Sequence, residues 1–451
     1  MPADPDVLTG ITTLADDRLA EVDPLVTGPW ATPVTWRQPV HTVYVPAHLI
    51  VGDSTGESAQ GTDLPRRWAQ DALDALRAHG GAAALARDLG VADGHAETVG
   101  ELTLDKLHRE PVEDLRIDFE DGFTQRGVPQ DARDADEDAL AARAADVLAS
   151  WLDGGDGGAA DGAPAFAGIR FKSFDPAVRE RGLRTLTIVL QGLARDGVLA
   201  RVLKRDRRAL RLTLPKVQHH RQVEVFVEVL QALERALDVP QIPFEVQVET
   251  PQAILAADGA AEPARLIAAG AGRVLSLHYG TYDYSASLGV DAAEQSMEHP
   301  VADHAKDVLQ VATTAVGVEL SDGSTNRIPV GTATEILEGW RIHHDLVGRH
   351  LRRGVRQGWD LHANQLVTRH LTTIAYFRAD WRVSAERLRA YVAGDTSRWM
   401  DEPATAKAMA GYLVRARACG AVTDAELEVT GLDDTQLRTL QVSGRLQGVT
   451  P

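Results

Sequence analysis

The sequence predicts an α/β protein: a (β/α)8 TIM barrel with an N-terminal extension and a C-terminal helical appendage. Three observations carry that expectation. Eight short stretches have the apolar or alternating pattern of strands, helix-length segments separate them, and polar residues collect where the strands end. Eight alternations is the number that closes a barrel. An open doubly wound sheet is the alternative, but no Gly-x-Gly-x-x-Gly follows the first strand.

At 451 residues the chain has room for a full barrel and extra elements. Its 44% hydrophobic and 25% charged residues are those of an ordinary soluble globular protein. A net charge of −18, with no block of Lys and Arg, repels phosphate backbones, so no nucleic-acid partner is expected. Cys419 is the only cysteine, which excludes an intrachain disulfide framework and any Cys-based zinc site. The stretch from Met1 to Val26 carries acids throughout and lacks a basic start followed by an apolar core. No run approaches the length of a membrane span. The expectation is a cytoplasmic protein with no membrane partner.

Residues 1–38 are polar and interrupted by proline, and form the N-terminal extension. The barrel is expected over 39–380. Its first strand is Val43 to Ala47, followed by helical spacing from Arg66 to His79 and an Ala-rich stretch to Leu89. The second runs from Asp114 to Gly122 and carries three acids near its end, Asp118, Glu120 and Asp121. A helix over 131–152 follows. The segment 153–164, rich in Gly, Asp and Ala, reads as a surface insertion without a packing face. The third strand, Phe166 to Phe171, holds Arg170 near its end with Lys172 just beyond. A helix over 176–196, a strand Leu210 to Leu214 with Pro215 and Lys216, and a helix over 219–237 come next.

The fifth strand alternates polar and apolar residues from Phe244 and stops on Glu249, Thr250 and Pro251, where a helix-like run over 252–257 takes over. The sixth, Val274 to Tyr279, leads into Gly280, Thr281, Tyr282 and Asp283. A helix over 303–316, a short strand Asn326 to Val330, a helix over 334–353, a strand Gly358 to His362 and a helix over 365–377 complete the alternation. Residues 381–451 form the helical C-terminal region.

Carboxylates at the carboxyl ends of parallel strands sit where ligands bind in α/β folds. Glu249 and Asp283, at the ends of consecutive strands, can share one hard cation. Mg2+, with Mn2+ as a substitute, commonly takes only one or two carboxylates and leaves room for substrate oxygens. Such a metal binds a 2-oxo acid through two oxygens and draws off charge as an enolate forms. Arg170 can fork onto the same substrate's carboxylate or carbonyl oxygen. The bland alternatives stay open: Asp283 as a helix cap, Arg170 in a structural ion pair with Glu120 or Asp121. His219-His220 and His343-His344 lack the i, i+4 spacing of a helical zinc site and read as surface or packing residues. His278 lies at a strand end as an acid/base candidate, with packing the better reading. Trp340, Trp359 and Tyr376 read as core.

Six short motifs fall in one order: Asp118-Phe119-Glu120-Asp121, Arg170-Phe171-Lys172, Pro215-Lys216, Glu249-Thr250, Gly280-Thr281-Tyr282-Asp283 and His362-Ala363-Asn364-Gln365. In this the chain resembles the citrate lyase β-subunit-like, or HpcH/HpaI aldolase, superfamily over roughly residues 40–378. The resemblance implies a phosphoenolpyruvate/pyruvate-type barrel with a divalent metal on Glu249 and Asp283, and with Glu120 and Asp121 beside it. It also implies Arg170, Lys172, Lys216 and Gly280 in substrate binding, and assembly as a homo-oligomer. The implied reaction is cleavage or formation of a carbon–carbon bond next to a carbonyl, with a small oxo acid or a CoA thioester as partner. Two departures stand out: Lys172 where the family has Asn, and Ala363 where it has Pro. Beside the lyase or aldolase stand a malate synthase-like condensing enzyme and a metabolite-binding barrel without catalysis, its lost chemistry marked by Lys172.

Overall fold

A computed structural model describes residues 5–27, 34–52, 61–121, 123, 129–153, 162–314 and 316–446. Eight strands, β1 (His41–Pro46), β2 (Asp114–Asp118), β3 (Phe166–Arg170), β4 (Leu210–Leu214), β5 (Phe244–Val248), β6 (Val274–Tyr279), β7 (Glu319–Ser321) and β8 (Gly358–Asp360), form one sheet. Its order is β7-β6-β5-β4-β3-β2-β1-β8 and every neighbouring pair is parallel. The seam between β7 and β8 closes through a parallel bridge of Ser321 and Gln357. There the Asp322 N–H donates to the Gln357 carbonyl at 2.8 Å, and the Trp359 N–H to the Gly323 carbonyl at 2.9 Å. With helices between the strands, this is a (β/α)8 barrel.

Strand alternation assigns the two faces. In β2, Leu115 and Ile117 are buried in the apolar layer under the helices. Asp114, Arg116 and Asp118 face the interior, where Arg116 Nη2 meets Glu245 Oε2 of β5 at 2.7 Å. One level away, Arg211 Nη1 of β4 meets Glu319 Oε2 of β7 at 2.8 Å. All four of these ionic side chains are fully buried, so each depends on its partner for the charge to be tolerated.

The seventh strand corrects the sequence expectation. Residues 326–330 are loop, with Ile328 and Val330 exposed, and the strand is Glu319–Ser321. It shows only one apolar residue, Leu320, because its inward position holds the partner of Arg211. Past β5 the helix-like run at 252–257 is a short 3-10 turn (Pro251–Ala253), and the helix comes later, at Glu262–Ala269. Helices at Asp93–Arg109 and Val198–Asp206 add to those read from the sequence.

The helix Ala363–Val392 runs through position 380 without a break. Helices Pro403–Ala418 and Asp434–Ser443 follow, and their apolar residues join the same core as the barrel. At the other end, the helix Pro5–Leu19 is exposed along its described length. Gly122 and most of the Gly-rich 153–164 segment lie outside the described residues. No helix among the described residues is long and apolar enough to cross a membrane.

Candidate metal and substrate site

The carboxyl ends of the strands surround a cavity of about 440 Å3 whose lining includes Tyr44, Arg170, Gln247, Glu249, Asp283 and Trp359. Glu249 follows β5 and shares the inward face of Glu245 and Gln247. It is buried; its Oε1 accepts the Lys216 N–H at 2.8 Å and its Oε2 accepts Gln247 Nε2 at 2.7 Å. Asp283 comes from the first turn of the helix Thr281–Ser287 after β6, and Asp121 from the loop after β2. Carboxylate oxygens of Asp121, Glu249 and Asp283 lie within 4.8 Å of one another. Three oxygens gathered at that spacing are the donor set a hard divalent cation takes. The sequence reading gave Glu249 and Asp283 to the metal; the geometry adds Asp121 to the same cluster.

Lys216 lies among these acids. Its Nζ is 2.9 Å from Asp121 Oδ1, 2.9 Å from Asp283 Oδ2 and 3.2 Å from Glu120 Oε1. Its backbone φ of +51° is in the left-handed region, which costs a non-glycine residue roughly 1–2 kcal/mol. Such a conformation persists where the surroundings over-determine it, and here the Lys216 N–H is committed to Glu249.

Burial pushes the Glu249 carboxyl up to about 8; the Lys216 ammonium opposes this, while Glu120 and Asp283 add to it. Burial also raises Glu120, to about 7, against the pull of Arg170 and with the push of Asp121. Asp121 is held below its ordinary value: burial works the other way, and the hydrogen bond to Glu120 with Arg170 and Lys216 nearby prevails. A carboxyl whose folded pKa is raised binds more protons folded than unfolded, so its contribution to stability declines as pH rises from the ordinary carboxylate value toward about 8. The metal-free protein is therefore expected to lose more melting temperature between pH 5 and pH 8.5 than its Glu249→Gln variant loses. Parallel curves for the two proteins would sever the assignment.

Gly280 has a packing reason. A Cβ there would stand 2.6 Å from Glu249 Cβ and 2.7 Å from its Oε2. Gly280→Ala is expected to displace this carboxylate and so to weaken by about tenfold or more any divalent cation it helps hold, measurable by calorimetry with Mg2+. It acts here by leaving room for Glu249.

Arg170, at the inward end of β3, is buried and clamped. Its Nε and Nη2 donate to the two Asp118 oxygens at 2.8 and 2.7 Å, and Nη1 to Gln247 Oε1 at 3.3 Å. Nη1 also stands 3.6 Å from Glu120 and 3.7 Å from Asp121, and the guanidinium lies over the Tyr44 ring at 4.7 Å. Lys172 is not brought to the cavity lining. Its Nζ donates to the Phe119 carbonyl at 2.9 Å and to Glu137 at 2.6 Å, the latter from the helix Gln130–Leu152. Past the end of β3 the alternation no longer turns this side chain inward.

His278 lies beneath the mouth, fully buried, where its Nδ1 accepts from Trp359 Nε1 at 3.1 Å and its Nε2 is 3.2 Å from Glu245. Trp340 is core, and His343 is buried against Asp360 at 3.1 Å. Trp359 is buried too, yet it also lines the cavity. His219 caps the helix His220–Leu237, and with His220 and Glu262 it forms a second group whose donor atoms lie within 4.8 Å. His362 and Gln365 form the capping box that starts the helix Ala363–Val392. In the sequence Asp118 stood out only as one acid of a motif, without a role, and Gln247 and Tyr44 had none; Gln247 was the most accessible, two residues before Glu249 on one face of a strand.

Residues 19–444 match the family described as "Domain of unknown function (DUF6986)", and the chain belongs to that family. No curated protein matches it in sequence. Among solved structures it is similar to the Haloferax volcanii malate synthase lead(II) complex, at 14% identity and TM-score 0.48, over 87% of this chain and 88% of that one. It is similar also to the protein CitE from Mycobacterium tuberculosis in complex with magnesium, acetoacetate and coenzyme A, at 15% identity and TM-score 0.43, over 86% and 99%. A HpcH/HpaI aldolase/citrate lyase family protein from Burkholderia cenocepacia is similar at 15% identity and TM-score 0.34, over 56% and 81%.

Proposed function

We propose that the chain is a divalent-metal-dependent carbon–carbon lyase or aldolase acting on a small 2-oxo acid or an acyl-CoA through an enolate. The observation that carries this reading is the meeting of Asp121, Glu249 and Asp283 on the cavity that Arg170 also lines. The motif order described above supplies the substrate class.

Glu249 and Asp283 would hold Mg2+ or Mn2+, with Asp121 at the same cluster. Bound there, the ion supplies Lewis acidity toward a carbonyl oxygen. Arg170 receives the substrate's carboxylate or carbonyl oxygen, and Asp118 fixes the guanidinium so that little reorganisation is needed as charge develops. Lys216 offsets the local negative charge and adds a donor for an anionic substrate. Glu120, with its carboxyl near neutrality, is the nearby group able to give or take a proton at physiological pH. Tyr44 and Trp359 restrict water at the floor. The same enolate run forward gives a malate synthase-like condensation. The non-catalytic reading rested on Lys172, and loses that support because Lys172 is tied to Glu137 and does not line the cavity.

Pyruvate incubated in deuterium oxide with the protein and Mg2+ is expected to exchange its methyl protons, as followed by NMR. Exchange should stop on addition of EDTA and in Glu249→Gln. Tight Mg2+ binding without exchange into pyruvate or an acetyl-CoA analogue would instead make this a metabolite-binding barrel.

A further inference from the structure

At the amino ends of the strands, opposite the mouth, the barrel meets the C-terminal helices around a cavity of about 230 Å3. A second, of about 340 Å3, shares part of its wall. Arg356, just before β8, and Arg415, on the helix Pro403–Ala418, line both. The first has an apolar wall that includes Val40, Phe377 and Val414; the second is more polar, with Thr313, Thr314 and Lys407.

The arginines around these cavities differ in one respect. Arg37 is paired with Glu110 and Glu113, and Arg417 and Arg438 are both paired with Asp434. Among the described residues Arg356 hydrogen-bonds only to neutral groups, the Leu351 carbonyl at 3.0 Å and the Tyr376 hydroxyl at 3.4 Å, with its guanidinium near the Tyr376 and Phe377 rings. The Arg415 side chain makes no hydrogen bond or ion pair among the described residues, and its Nε is buried without a partner.

Burial and the neighbouring Arg356 push the Arg415 guanidinium down to about 10, still cationic at neutral pH. A half-buried guanidinium beside a second one is costly unless an anion bridges them. With 65 acidic against 47 basic residues, the chain has no shortage of carboxylates, yet among the described residues none is paired with these two: Glu113 and Glu319, which also line the cavities, are held by Arg37 and Lys106 and by Arg211.

We propose that this space is a binding site for a small organic anion, a carboxylate or phosphate on an apolar body. Its oxyanion is gripped by Arg356 and Arg415 and its body lies against Val40, Phe377 and Val414. Arginine's planar fork suits both oxyanions, so the two ligand types share one chemistry. The site is separate from the mouth and independent of the reaction proposed there.

The test uses the full-length protein, with hexanoate and hexyl phosphate as probes, 1-hexanol as the neutral control and calorimetry as the readout. At least one anion is expected to bind saturably, and hexanol about tenfold more weakly or worse. Arg415→Met and Arg356→Met should each weaken the anion by about tenfold or more, and Arg170→Lys should leave it unchanged. Inorganic phosphate binding as tightly as hexyl phosphate would remove the apolar half of the proposal. Without anion, Arg415→Met should melt no lower than the parent, because an apolar chain replaces an unpaired charge. If that variant does not fold, Arg356→Met and Ala418→Trp, which fills the apolar cavity, are read in its place. Binding unaltered in Arg415→Met, lost only in Arg170→Lys, or absent for both probes up to millimolar concentration overturns the proposal.

Discussion

Glu249→Gln is expected to cut turnover by roughly 10²–10³-fold, the usual cost of removing one preorganised electrostatic element from a reacting centre. The side chain keeps its shape, and its single amide oxygen still accepts from one of the two donors the carboxylate now serves, Lys216 N–H or Gln247 Nε2, so the fold should survive. What is lost is the anionic oxygen that completes the cluster with Asp121 and Asp283. Because Glu249 is buried and its carboxyl lies near 8, the parent must lose a proton to bind a cation at neutral pH. Mg2+ affinity in the parent should therefore rise with pH through that value, and in the variant the rise should be much reduced. Asp283→Asn, at an exposed position, should weaken the metal and keep the rise with pH, with its midpoint moved down because the Asp283 charge helps hold the Glu249 carboxyl up. Unchanged turnover and affinity in both variants would leave the cluster without a function.

Arg170→Gln is expected to destabilise the fold by about 3–5 kcal/mol in chemical denaturation, besides removing activity. The magnitude comes from what is left behind: Asp118 is buried, and both its oxygens are engaged by this guanidinium. Adding Asp118→Asn to Arg170→Gln should recover part of the loss, since the buried charge that the guanidinium offset is gone. Arg170→Lys keeps a positive charge but not the fork, so it should restore stability more than kcat/KM. Equal stability in the parent and Arg170→Gln would show that the pair is not the buried clamp described above.

The strands β4 and β6 begin and end where their sequence patterns do, because both are bounded by clear changes of residue type. The same clarity put Glu249, Asp283 and Arg170 at strand ends, and closure of the barrel then gathered them at one mouth. β7 was displaced in the sequence reading for a physical reason. Its inward residue is a glutamate neutralised by Arg211, 108 positions earlier in the chain, and no local pattern announces such a partner. Lys172 was legible as a cation near the strand end but not in its direction, which depends on Glu137 in a helix more than thirty positions earlier. The Asp118 clamp on Arg170 was hidden similarly, since a run of three acids gives no sign of which one turns inward.

The most direct measurement is anomalous diffraction from a crystal of the protein soaked in Mn2+. The expected result is a peak at roughly 2.0–2.2 Å from carboxylate oxygens of Glu249 and Asp283, with Arg170 across the same cavity. A peak at His219, His220 and Glu262 alone, or none at the mouth while the three carboxylates stay together, would contradict a metal-dependent reaction at this site.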